Sequence, residues 1–72
     1  MRVINVTINL EEKRLEKGMS IRTLAEQSGV SRATITRIES GKSNPTVEVL
    51  CKLVSALGIT LEDLIQYGTE EA

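Results

Sequence analysis

Few side chains in this sequence are suited to chemical catalysis. Histidine is absent and Cys51 is the only cysteine, which excludes thiolate metal clusters, His-based acid–base pairs and an intrachain disulfide. The ten aspartates and glutamates follow patterns typical of solvated helix faces. We therefore expect no enzyme, no cofactor and no metal site. Cys51 lies in an apolar helical pattern and is expected to be a small buried core residue rather than a redox-reactive thiol.

Hydrogen bonding to a partner is a different kind of chemistry, and one predicted helix is suited to it. Ser31 can cap this helix, and Ile35 and Ile38 follow at the spacing of an inward-facing stripe. The opposite face carries small and polar residues with two arginines, namely Arg32, Ala33, Thr36, Arg37 and Ser40.

A second short helix is predicted immediately before this one. Ser20 can cap it, its apolar residues Ile21, Leu24 and Ala25 recur at helical spacing, and Gly29 can end it because glycine adopts positive φ without a Cβ penalty. Two short helices joined by a tight turn are typical of a helix-turn-helix, whose second helix fits the major groove of DNA. The alternative is a compact helix pair that only builds an all-α core.

Three stretches of the chain resemble the Cro/cI-type (Xre-like) helix-turn-helix family. They are LAEQSGVS at 24–31, TITRIESGKSNP at 34–45 and ALGITLEDL at 56–64, and the resemblance spans roughly Leu10 to Ile65. It implies an all-α, five-helix, lambda repressor-like DNA-binding domain. It also implies that the basic residue of the first helix, Arg14, pairs with Glu39 near the end of the recognition helix; the alternative is a solvated surface arginine.

The predicted DNA contacts fall into two groups. An arginine can donate two hydrogen bonds to guanine, and a small apolar group can touch the methyl group of thymine. Base contacts are therefore predicted for Arg32, Ala33, Thr36 and Arg37. Phosphate contacts are predicted for backbone amides at helix starts and for Ser20, Arg22, Ser31, Ser40, Lys42, Ser43, Asn44 and Thr46.

Charge is distributed unevenly along the chain. The net charge of −1 is unusual for a DNA-binding domain, but residues 1–45 carry +3 and residues 46–72 carry −4. This asymmetry predicts one DNA-facing end and one acidic end turned away.

The remaining elements complete a single small domain. Residues 3–8 alternate so that Ile4, Val6 and Ile8 share one side of a short strand, which either pairs with a second copy or is a poorly ordered extension. A helix is predicted at about 10–17, with Asn9 as its cap and with Leu10 and Leu15 facing inward. Another is predicted at about 47–57, capped by Thr46 and ended by Gly58. A last helix is predicted to start at Thr60, where Asp63 completes a capping box, and to carry Leu61, Leu64 and Ile65. The predicted organisation is an N-terminal extension at 1–9, the helix-turn-helix domain at 10–66 and a frayed tail at 67–72.

Together these features predict a transcriptional regulator that acts either as a repressor or as an activator. We expect it to bind double-stranded DNA at a two-fold operator as a homodimer, with the recognition helix in the major groove and without a small-molecule ligand. No apolar run approaches the ~20 residues of a membrane span, so we expect a cytoplasmic protein with no membrane partner. The alternative is a protein-binding antitoxin or anti-activator that uses the same fold.

Overall fold

Five helices are framed by one strand at each end of the chain. The computed structural model describes the backbone of residues 2–70 and the side chains of residues 6–68. In chain order the elements are β1 (Arg2–Ile8), α1 (Leu10–Glu16), α2 (Ile21–Ser28), α3 (Arg32–Glu39), α4 (Val47–Leu57), α5 (Leu61–Leu64) and β2 (Ile65–Glu70). The predicted five-helix fold with an N-terminal strand is confirmed, and β2 is an addition to it. No helix in the described part of the chain is long and apolar enough to cross a membrane.

All five helices begin directly after the predicted capping residue, and four of these residues make a side-chain capping bond. The hydroxyls of Ser20, Ser31, Thr46 and Thr60 each accept a hydrogen bond from the backbone N–H three residues later, which satisfies one of the donors left open at a helix start. Asn9 precedes α1 at the predicted position, but its side chain makes no capping bond, so that part of the prediction is wrong. The backbone at Asn9 has ψ 48° instead of the extended value at the other caps. Its N–H donates instead to the Leu64 carbonyl, at 2.8 Å.

One continuous core joins all five helices. Its buried members are Leu10, Leu24, Val30, Ile35, Ile38, Leu50, Leu53, Leu57 and Leu64. Fully burying such a side chain stabilises the fold by about 1.5–3 kcal/mol relative to leaving it exposed. Helix α4 supplies three of these leucines and packs against α2, in agreement with its predicted central place.

Two residues expected in the core are exposed. Leu15 follows the buried Arg14 by one position, and Cys51 follows the buried Leu50 by one position. Since each residue of an α-helix is turned by about 100° from the previous one, both side chains leave the inward stripe. The predictions of an inward Leu15 and a buried Cys51 are therefore wrong.

The two strands form an antiparallel sheet within one chain. Ile8 lies opposite Ile65, Val6 opposite Tyr67 and Arg2 opposite Glu70, with a register shift between Val3 and Asn5. Neither predicted alternative for residues 3–8, pairing with a second copy or poor order, describes this arrangement. Strand backbone groups need hydrogen-bond partners, and β2 supplies them from the far end of the chain.

The end of the chain also differs from the prediction. Helix α5 ends at Leu64, and Ile65 is extended with φ −110° and ψ 134°, so Ile65 belongs to the sheet and not to the helix. Residues 67–70 lie in β2 instead of a frayed tail. Residues 71–72 and the Ile4 side chain, which was expected to share a face with Val6 and Ile8, lie outside the described parts of the chain.

Candidate nucleic-acid interface

Helix α3 is held to the core by one face and exposes the other. Ile35 and Ile38 are almost completely buried, which sets the rotation of the helix about its axis. The face opposite these isoleucines is solvent-exposed and carries Arg32, Ala33, Thr36 and Arg37. The structure therefore brings all four predicted base-contacting residues together on one accessible surface.

The arginines of this surface are available for intermolecular contacts. Among the described residues, neither Arg32 nor Arg37 takes part in an ion pair. Arg22 on α2 differs, because its Nε lies 3.5 Å from a carboxylate oxygen of Glu26 one turn later. Both of those side chains are exposed, and such surface pairs are weak enough to open for a stronger partner.

Ser20 and Ser31 are exposed at the starts of α2 and α3, but their hydroxyls are already engaged. Each accepts from a backbone N–H, of Thr23 and Thr34 respectively, and each donates to the hydroxyl of the same threonine, at 2.9 and 2.8 Å. A phosphate at these positions would therefore meet the backbone N–H groups of the first turn, which carry the positive end of the helix dipole. Thr46 is likewise exposed and caps α4.

The segment after α3 is positioned by a Schellman turn. Gly41 has φ +75°, a left-handed conformation that favours glycine. The Lys42 N–H bonds to the Arg37 carbonyl and the Gly41 N–H to the Ile38 carbonyl, which is the hydrogen-bond pattern of this motif. Lys42 thus extends from the end of the recognition helix as an exposed cation. Of the other predicted phosphate contacts here, Ser40 and Asn44 are exposed and Ser43 is half-buried.

Beneath this surface, an ion pair ties α1 to the end of α3. The Arg14 Nε donates to Glu39 Oε2 at 2.8 Å and its Nη2 donates to Oε1 at 3.1 Å. The exposed fractions of the two side chains are only 10% and 7%. The structure thus brings together the two residues expected to pair. The hydrogen bond with Glu39 is the main cause that raises the pKa of Arg14 above its ordinary value, against the opposing effect of burial.

Two parts of this framework are missing from the sequence-based site. The Arg14 Nη1 also donates to the backbone carbonyl of Met19, at 2.9 Å, and a carbonyl contact leaves no residue-type signal. The hydroxyls of Thr23 and Thr34 complete the caps of α2 and α3. A threonine three positions after each capping serine was a usable signal for this second contact.

Comparison with known proteins identifies the same segment. The model of the helix-turn-helix family HTH_3 matches residues 10–64. The HTH-type transcriptional regulator DdrOP3 of Deinococcus deserti is 34% identical over 67 residues, which are 88% of this chain and 52% of that protein. The chain therefore spans about half the length of this relative.

Two solved structures share the fold. The restriction-modification controller protein C.AhdI from Aeromonas hydrophila has a TM-score of 0.73 and 36% identity, covering 76% of this chain and 83% of that one. An HTH_3 family transcriptional regulator from Vibrio cholerae has a TM-score of 0.71 and 36% identity, covering 74% of this chain and 30% of that one.

Proposed function

The chain belongs to the helix-turn-helix family HTH_3, and on this premise we propose that it is a transcriptional regulator that binds double-stranded DNA in a sequence-specific manner. Helix α3 enters the major groove, and two copies bind a two-fold operator. The observation that carries the proposal is the exposed face of α3. Arg32 and Arg37 have no ion-pair partner among the described residues and flank the exposed Ala33 and Thr36.

The residues of this face suit the reading of bases. Each arginine can donate two hydrogen bonds to the O6 and N7 atoms of a guanine, and Ala33 and the Thr36 methyl group can contact a thymine methyl. Because Ile35 and Ile38 are buried, α3 cannot rotate away from the groove without exposing core. The face is therefore preorganised for base contacts.

Phosphate contacts then set the register of α3 in the groove. The backbone N–H groups at the starts of α2 and α3, together with the exposed cations Arg22 and Lys42, would bind these phosphates. Ser40, Ser43, Asn44 and Thr46 add hydrogen-bonding groups at its end. The +3 charge of residues 1–45 favours DNA on this side, and the −4 charge of residues 46–72 disfavours it on the other.

Two-fold binding follows from the small size of the reading surface. One recognition helix contacts only a few base pairs, so a dimer is needed to specify a longer site. Its two recognition helices would lie about 34 Å apart, one turn of DNA, so that both half-sites face the same side of the duplex.

Selection of bound sequences from a random DNA pool tests this proposal. We expect enrichment of one site with two-fold symmetry and a half-site separation near one helical turn. Affinity for that site should fall by roughly 10³-fold or more between about 50 and 200 mM salt if the dimer contacts six or more phosphates. A pool that stays unenriched, together with weak salt dependence, would refute the proposal and favour a protein-binding module.

A further inference from the structure

The sheet has one apolar face and one polar face. Residues directly opposite each other share a face, so Ile8, Ile65, Val6 and Tyr67 lie on one side. Thr7 and Gln66 lie on the other side, and both are exposed. This alternation is typical of a sheet that is covered on its apolar side.

Only the base of the apolar face is covered within the chain. Ile8 and Ile65 pack against the core, whereas the next pair, Val6 and Tyr67, is 58% and 62% exposed. A groove of about 370 Å³ lies between β1 and the end of α3. Val6, Ile8 and Ile38 contribute its apolar lining, and Thr7 of β1 and residues 39–41 and 43–44 contribute the rest. The helices therefore stop short of the outer part of the sheet. The chain's longest dimension of 43 Å, against 21 and 19 Å for the others, agrees with a projecting element.

We propose that this apolar sheet face, centred on Val6 and Tyr67, is the surface through which two copies of the chain form the dimer. The inference rests on the two-fold binding under the proposed function. It names the contacting surface, which the family membership does not.

The charge pattern favours a second copy as the occupant. Residues 3–8 and 65–69 contain no charged residue, so the sheet offers no attraction to a strongly acidic or basic partner. A second copy presents the same uncharged apolar face, so the surface is complementary to itself, as a two-fold contact requires.

The short α5 supports the same conclusion. This helix has four residues, and β2 begins at the next one. Ile59 and Val49, which would supply apolar contacts at the end of the domain near α5, are half-buried against the core of their own chain. Near this end Tyr67, at 62% exposed, is more exposed than Leu61 of α5, at 38%, and Tyr67 belongs to the sheet.

Sedimentation equilibrium of the intact chain and four matched variants tests this surface. Val6→Lys and Tyr67→Lys place a charge on the apolar face, while Thr7→Lys and Gln66→Lys place the same charge on the opposite face of the same strands. Because burying an unpaired charge is costly, we expect the first two to raise the dimer dissociation constant by at least about tenfold. The two controls should stay within about threefold, which corresponds to less than 1 kcal/mol. Circular dichroism of each variant verifies that the fold is retained.

A mixing experiment makes the test specific for a face that meets itself. Tyr67→Lys and Tyr67→Glu should each dimerise poorly alone, and association restored in an equimolar mixture would place the two copies of residue 67 close to each other across the axis. An intact chain that remains monomeric, or equal effects of the charges on both faces, would each overturn the inference.

A measurement of DNA binding distinguishes a wrong dimer surface from a wrong proposed function. If the Lys variants still dimerise while the intact chain binds its selected site, only the surface is wrong. If no site is selected at all, the proposed function fails, whatever the sedimentation result.

Discussion

The pair formed by Arg14 and Glu39 allows a quantitative prediction about the support of the recognition helix. The perturbation is a double-mutant cycle made of Arg14→Ala, Glu39→Ala and the double variant. Each single change leaves a charged group in a site where both side chains are nine-tenths buried or nearly so. The structure predicts strong coupling between the two positions.

The magnitude follows from the hydrogen bonds. Breaking a buried pair by removing one partner costs about 3–5 kcal/mol. Glu39→Ala should lie near 3 kcal/mol on this scale, because Arg14 keeps its bond to the Met19 carbonyl. Arg14→Ala should cost somewhat more, since Glu39 then has no hydrogen-bond donor among the described residues. The double variant removes both charges and should cost only slightly more than one single change, which gives a coupling energy of about 3 kcal/mol.

Urea unfolding followed by far-ultraviolet circular dichroism measures these differences. A chain of this size has a total stability of about 4–10 kcal/mol, so low temperature keeps the single variants folded enough for a baseline. The pair of Glu48 and Lys52 on α4 is the control, because its ion pair, at 3.5 Å, is exposed. Its coupling energy should be about 0.3–0.5 kcal/mol.

Two results would refute the reasoning on this pair. The first is additivity of the Arg14 and Glu39 changes within about 0.5 kcal/mol. The second is a coupling energy no larger than that of the exposed control pair. Either would mean that the two charges are solvated in the folded protein.

The remaining predictions concern base reading and pH. Arg32→Ala and Arg37→Ala should each cost about 1–3 kcal/mol of binding free energy at the selected site and relax the preference at particular base pairs. Lys42→Ala should instead weaken binding to all sequences alike. If the arginine variants also lose equal affinity for all sequences, the two arginines contact phosphates and not bases. Hydrogen bonds from the backbone and then the side chain of Thr60 hold the pKa of Asp63 below its ordinary value. The Asp63 carboxylate therefore stabilises the fold at pH values above its ordinary pKa, and this contribution is lost as the pH falls through the lowered pKa. Asp63→Ala should lower the stability at neutral pH and match the intact chain in strong acid. An unchanged difference across this range in acid unfolding curves would contradict the capping role.

Local signals accounted for the helical part of the fold. Capping residues such as Ser31 and Thr46 act on their own backbone within three positions, so their effect is readable from a short window of sequence. The buried pair Ile35 and Ile38 and the exposed arginines of α3 follow from the same helical period. The arrangement of residues on the exposed face of α3 could therefore be predicted from the sequence.

Only the first strand of the sheet could be predicted from the sequence, for a physical reason. Residues 3–8 carry a strand pattern, but their partner is a segment near the opposite end of the chain. In that segment the capping box of Thr60 and Asp63 favours a helix, and the change to extended backbone at Ile65 depends on pairing with Ile8. The conformation of Asn9 was hidden for the same reason. Its backbone N–H bonds to the carbonyl of Leu64, a residue far away in the sequence, so a short window of sequence does not reveal the contact.

The pairing of the first strand with the last bears on the order in which the molecule assembles. The helical body connects elements that are near neighbours in the chain, whereas the sheet joins its first element to its last. Closing the ends of an unfolded chain costs entropy that grows with the length of the loop, and a folded helical body has already met that cost. We therefore expect the sheet to form after the helices and to open before them, and its amides to exchange with solvent through a local opening that leaves the core intact.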